Sequence, residues 1–353
     1  MSSDIRELCV NTIKTLSMDA VQKANSGHPG MPMGCAEFGA YLYGVLLRQN
    51  PKNSKWPNRD RVVLSAGHGS MWLYSCLHLS GYKLPLEEIK RFRQLHSKTP
   101  GHPEYGLTDG VEATTGPLGQ GVGNAVGMAL GLKLLAAKFN KDDYPLFTAK
   151  VYCIAGDGCM MEGVSSEASS FAGHLKLDNL VLIYDSNHIC LDGPTSECFT
   201  EDTKGRYKAY GWDVFEVDGY DFDQMEAIFG EIKKKQERPI FVVLRTVIGK
   251  GSPHKAGSSK AHGSPLGPEE VAATKEALGL PKEEFYVPQS VRTFFEQKWP
   301  KEAALEADWR RVFNCSGEAS VPVGLLGLAT KTAFVRAFTV RSRFFSGKLR
   351  SAR

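Results

Sequence analysis

The chain has 353 residues, 42% hydrophobic and 23% charged, a balance that suits a soluble globular protein with room for one large α/β domain or two ordinary ones. No basic segment leads into an apolar core with a small-residue cleavage site, so a secretory signal is not expected. The most apolar stretch, residues 122–137, carries Asn124 and Lys133 and reads as too short to span a bilayer.

The net charge of +4 is unevenly placed. Seven basic residues and no acidic one follow Glu318, and without them 36 basic residues face 39 acidic ones. A basic tail can bind nucleic acid, but no stacking or groove-reading motif accompanies this one, so nucleic acid is not an expected partner. Eight cysteines lack any C-x-x-C pair or zinc-like spacing. They read as reduced thiols of a cytoplasmic protein.

In chain order, residues 4–25 predict a helix, with Ile5, Leu8, Ile13, Leu16 and Val21 near helical spacing before the break at Ser26-Gly27-His28-Pro29-Gly30. Residues 61–65 predict a short strand running into Gly67-His68-Gly69, and residues 71–79 a helix. Residues 96–121, rich in Gly, Pro, His and Thr, read as a long functional loop. Gly123, Gly127 and Gly131 share one helical ridge, which implies close packing against another backbone. Residues 150–155 predict a buried strand, Gly156-Asp157-Gly158 a turn, residues 162–175 a helix and residues 179–184 a second buried strand. That βαβ unit implies parallel strands. A strand near 212–217, a helix over 222–236 and a strand over 239–246 continue the alternation, so the fold class is α/β, a doubly wound parallel sheet flanked by helices. Residues 249–268 read as an ordered or closing loop, and 268–315 as helical with a break near 281–288.

Ligands of an open parallel sheet bind beyond the carboxyl ends of its strands. Asp157 and Asn187 follow the two strands of the βαβ unit and should converge. A carboxylate, an amide oxygen and a nearby carbonyl are hard ligands suited to Mg²⁺ or Ca²⁺. Gly158 would let backbone approach a diphosphate, with the following helix N-terminus adding partial positive charge. A lone Gly-Asp-Gly is more often a plain turn; its spacing from Asn187 is what raises its weight. Four of the nine histidines, His28, His68, His102 and His262, stand in Gly-flanked loops. A single such histidine is ordinarily structural, but four together suit phosphate binding, hydroxyl binding and proton transfer.

Taken in order and spacing, Ser26–Gly30, Gly67–Gly69, Gly101-His102-Pro103-Glu104, Gly116–Gly121, Gly156–Gly158 through Asn187, and Lys260–Gly263 resemble the motifs of transketolases, over about residues 4–315. The resemblance implies a thiamine-diphosphate fold and a two-carbon ketol transfer from a ketose phosphate to an aldose phosphate in the pentose phosphate pathway. It implies that Asp157, Asn187 and the Ile189 carbonyl hold Mg²⁺ or Ca²⁺, and that His68, Gly158 and His262 contact the diphosphate. By the same resemblance Gly116 and Leu118 lie along the cofactor rings. It likewise implies that His28, His102 and His262 would line the sugar channel as catalytic or substrate-binding groups. Glu162 and Glu167 would link the two active sites of a dimer. Ser186 departs from the wider pattern, which prefers Asn or Asp there.

The resemblance divides the chain into a diphosphate-binding domain, residues 1–315, and a divergent basic tail, residues 316–353. The pyrimidine-binding middle domain and the C-terminal domain of the family are expected to be absent. The chain would then act as a homodimer or with a separate pyrimidine-binding subunit. The rival expectations are a non-catalytic thiamine-diphosphate-binding remnant and an α-type subunit of another thiamine-diphosphate enzyme; the histidine set and Gly116–Gly121 argue against the latter.

Overall fold

The computed structural model describes residues 2–142 and 145–315; the basic tail from residue 316 lies outside the described residues. Helix α1, Ser3–Ala24, opens with Asp4 in its first turn, where a carboxylate suits the helix dipole, and closes at Asn25 in the left-handed conformation (φ 48°). It is buried from Cys9 to Val21, polar residues included. Thr12, Thr15 and Ser17 satisfy their hydroxyls on carbonyls of the preceding turn. Lys14 pairs with Glu37 at 2.8 Å and Asp19 with Lys275 at 2.9 Å. Short helices α2 (Gly30–Gly34) and α3 (Ala36–Tyr41) pack against it.

Strand β1, Arg61–Leu64, leads into a tight 3₁₀ turn at Gly67–Gly69 and helix α4, Ser70–Ser80. A short α5, Leu86–Ile89, precedes the long loop, which runs to Gly119. Helix α6, Gln120–Phe139, is longer than its apolar run suggests: by length and composition alone it could cross a membrane. It instead lies over β1 and over β2 (Val151–Gly156), with Gly123, Gly127 and Gly131 all buried.

The segment after β2 departs from expectation. Asp157–Met161 is a single turn of helix, α7, rather than a plain turn, and α8, Gly163–His174, follows at once. Strand β3, Leu180–Ser186, is buried along its whole length. Helix α9 (Thr203–Ala209), strand β4 (Asp213–Asp218), helix α10 (Phe222–Lys234) and strand β5 (Ile240–Arg245) complete the alternation. Asp221 caps α10 by accepting from the backbone N–H groups of Asp223 and Gln224.

All the strands are parallel, in the order β1-β2-β3-β5-β4. The central strands carry apolar residues on both faces, as a parallel sheet covered by helices requires. Helices α11 (Pro268–Ala277), α12 (Gln289–Glu296) and α13 (Trp299–Cys315) close the described chain. The first two return to α1. Trp309 and Phe313 of α13 join Trp56, Leu135, Phe139, Leu146 and Phe147 in a separate apolar cluster.

Candidate active site at the carboxyl ends of the strands

Parallel pairing sets every strand's carboxyl end at one rim of the sheet. β1 delivers His68, β2 delivers Asp157, β3 delivers Asn187, and the connection leaving β5 delivers His262. His28 arrives from the α1–α2 turn and His102 from the long loop. The four imidazoles converge there. His68 and His262 stack with centroids 5.1 Å apart, and His28 lies 5.2 Å from His68, 5.8 Å from His262 and 6.2 Å from His102.

Two glycines make that convergence possible. A Cβ on Gly30 would lie 2.5 Å from Ile248 Cγ1 and 2.6 Å from the Ala261 carbonyl, so only glycine lets the His28 turn press against the His262 segment. Gly116 adopts φ 152°, which L side chains rarely adopt, and its α-carbon faces the ring of His102. Leu118 covers Gly158 so closely that a Cβ there would be 2.7 Å from its Cδ1. Packing against Leu118 thus favours glycine at 158.

All four histidines are half-buried and hold their protons weakly. Burial is the first cause throughout. It lowers His68 to about 3 and His28 to about 4, helped in each case by the neighbouring imidazoles and, at His28, by Arg93. His102 is lowered by burial and Arg93, and His262 by burial against the opposing pull of Asp192. The site therefore presents neutral imidazoles near pH 7. The buried Nδ1 of His262 has no hydrogen-bond partner among the described residues.

Arg93, which sequence reasoning missed, orients His28. Its guanidinium donates to Ser26 Oγ at 2.9 Å and to His28 Nδ1 at 3.4 Å. A guanidinium can only donate, so Nδ1 accepts and Nε2 carries the proton. Nothing local marks Arg93 in the sequence, since its partners lie more than sixty residues away.

At the end of β2, Asp157 is buried and accepts from the Tyr184 hydroxyl at 2.5 Å. Burial first, and then the nearby Asp185 carboxylate, push its pKa up to about 7 against that hydrogen bond. A carboxylate so placed gains from a cation. Asn187 donates to Asp185 Oδ2 at 3.1 Å and accepts from the Ile189 N–H at 3.0 Å, which leaves its oxygen a second lone pair. Asp185 is anchored in turn by the Thr246 hydroxyl. No group of three His, Cys, Asp or Glu side chains suited to a metal occurs among the described residues. A carboxylate, an amide oxygen such as that of Asn187 and a backbone carbonyl are hard donors of the kind that suit Mg²⁺ or Ca²⁺ rather than zinc. Glu162 and Glu167 stand exposed at and just beyond the start of α8.

Residues 5–322 match the family model described as the thiamine diphosphate binding domain of transketolase. The chain is 54% identical to the transketolase of Halalkalibacterium halodurans over 315 residues, which is 89% of this chain and 47% of that one. It is 49% identical to transketolase 1 of Escherichia coli, again covering 89% of this chain and 47% of the relative. Among solved structures, transketolase from Leishmania mexicana superposes with a TM-score of 0.88 at 43% identity, covering 92% of this chain and 48% of the other. The Pichia stipitis transketolase solved with sedoheptulose 7-phosphate superposes at 0.87 and 44% identity, covering 92% and 48%. The chain thus spans about half the length of the relatives it matches. With the parallel sheet and this stretch of matched sequence in hand, the chain belongs to the transketolase family and corresponds to its N-terminal, thiamine-diphosphate-binding half.

Proposed function

We propose that this chain supplies the diphosphate-binding half of a transketolase active site, which moves a two-carbon ketol unit from a ketose phosphate to an aldose phosphate in the pentose phosphate pathway of the cytoplasm. The observation that carries the reading is the cluster of four neutral imidazoles at the rim where Asp157 and Asn187 emerge. Transketolases solved with sedoheptulose 7-phosphate and with xylulose 5-phosphate support sugar phosphates as the substrate class.

Asp157, Asn187 and the Ile189 carbonyl would hold Mg²⁺ or Ca²⁺, and the cation would relieve the cost of keeping Asp157 ionised while buried. His68, Gly158 and the unpartnered Nδ1 of His262 would meet the diphosphate, with Gly116 and Leu118 along the cofactor rings. Thiamine diphosphate, when bound, supplies the electron sink that ketol cleavage needs. His28, through its Nε2–H, would donate to a sugar oxygen. His102 and His262, neutral near pH 7, would accept hydroxyl protons and return them. The exposed Glu162 and Glu167 would face a second subunit. Catalysis on this reading needs a pyrimidine-binding domain beside the imidazole cluster, as part of a homodimer or a separate subunit.

The deciding experiment measures ketol transfer from xylulose 5-phosphate with thiamine diphosphate and Mg²⁺, with and without an added pyrimidine-binding half. Turnover that needs the added half and is lost in Asp157→Ala supports the assignment. Saturating cofactor that neither binds nor supports turnover with the second half present sinks it.

A further inference from the structure

Five of the described cysteines, Cys9, Cys35, Cys76, Cys153 and Cys159, are buried. Two are not. Cys190 is half-buried and Cys198 exposed, and their sulfurs lie 3.3 Å apart. Both belong to the connection leaving β3, directly after Asn187 and Ile189. That connection is already folded back on itself. Ile189 bridges Pro194, the Cys190 N–H donates to the Gly193 carbonyl at 2.8 Å, and the Thr195 N–H donates to the His188 carbonyl at 3.0 Å. A 3₁₀ turn over Thr195–Glu197 then carries Cys198 back over Cys190, its N–H donating to the Thr195 carbonyl at 2.9 Å. The exposed Leu191 follows Cys190 in sequence and lies against Gly263, which His28 also approaches.

We propose that Cys190 and Cys198 are a reversible oxidation site, a dithiol that low-molecular-weight disulfides such as glutathione disulfide convert to an intrachain disulfide bracing the metal-proximal loop. A disulfide sulfur pair sits about 2.0 Å apart, so closure needs a movement of little more than an ångström in a loop whose backbone has already brought the groups together. The chemistry balances. The accessible Cys198 sulfur attacks glutathione disulfide and releases one glutathione, and Cys190 then attacks the Cys198 sulfur and releases the second. Two thiols are oxidised, one disulfide is reduced to two thiols, and the protons of Cys190 and Cys198 end on the two glutathiones. Closure would pin Cys190 against Cys198 and with it the turn that presents Ile189 and Leu191. The consequence for metal and cofactor rests on the proposed function; the oxidation site does not.

The test equilibrates the chain in glutathione redox buffers, maps its disulfides by mass spectrometry without reduction, and follows amide hydrogen exchange over residues 187–199. The expected result is a single 190–198 linkage at the loss of two hydrogens, reversed by dithiothreitol, with the Cys190 and Thr195 amides exchanging at least about tenfold more slowly once linked. Cys190→Ser should instead stop at a glutathione adduct on Cys198. A wild-type chain that keeps that adduct, or that links other cysteines, overturns the proposal, and linkage without slower exchange overturns the bracing. Thiamine diphosphate binding by the reduced chain is measured separately. Its failure would count against the cofactor reading and leave the linkage result intact.

Discussion

At single residues, the candidate site holds groups in costly protonation states. Asp157 ionises with difficulty because its raised pKa, about 7 against 3.8 unfolded, makes its negative form costly above pH 4, with the full cost present above pH 7. Asp157→Asn keeps a partner for the Tyr184 hydroxyl and removes that cost. It should stabilise the metal-free chain at pH 8 by about 1–3 kcal/mol in denaturant unfolding, while Mg²⁺ no longer raises the midpoint. The histidines act with the opposite sign. Their folded pKa values are depressed, so the stability they contribute is present above about pH 6.5 and is lost as pH falls towards the folded values, about 3 for His68 and about 4 for His28. His68→Gln should flatten the fall in stability between pH 7 and 5.5 by about 1 kcal/mol. An unchanged slope would show that His68 takes up a proton as readily folded as unfolded. Gly30→Ala places a methyl against the Ala261 carbonyl. It should cost about 1–3 kcal/mol and displace His262, visible as a shifted imidazole resonance.

The elements are held by a buried polar frame as well as by apolar packing. Asp19 of α1 accepts from Lys275 of α11 and from the Phe285 N–H at 2.7 Å, far from solvent, and so binds α11 and the connection after it to α1. Removing one charge of such a pair strands the other. Lys275→Met should therefore lower stability by about 3–5 kcal/mol, and Asp19→Leu combined with it should recover at least half. Equal losses in the single and double variants would place the cost in lost packing instead. Legibility in the sequence follows the same physics. The strands were readable because burial on both faces leaves near-continuous apolar runs such as Val151–Ala155 and Leu180–Tyr184. The helix α2, Gly-Met-Pro-Met-Gly, was not, since two glycines and a proline disfavour a helix locally and its packing on α1 and α4 decides the outcome. The turn expected at Gly156–Gly158 became α7 for a related reason. Glycines that look like turn residues also admit a helix when a side chain such as Leu118 must lie against the backbone.

Across the whole molecule, the histidines could be singled out in advance because each carries its own glycine-flanked setting. Their mutual distances could not, because these arise only when four connections meet over one rim. Arg93 and Tyr184 stayed hidden for the same reason: each acts through a partner far off in the chain. The parallel sheet thus behaves as a ruler with two ends of different value. Paired residues such as Gly156 and Asp185 are held in step, and one residue added or lost within a strand would carry Asp157 or Asn187 about 3.3 Å out of place. Connections at the opposite, amino-terminal rim set none of those positions. A short peptide inserted between the exposed Glu237 and Arg238, ahead of β5, should leave Mg²⁺-dependent stabilisation unchanged, whereas the same peptide after Arg245 should abolish it. The chain is therefore editable from one side only, and that side is where an affinity handle, a fluorophore or new termini belong.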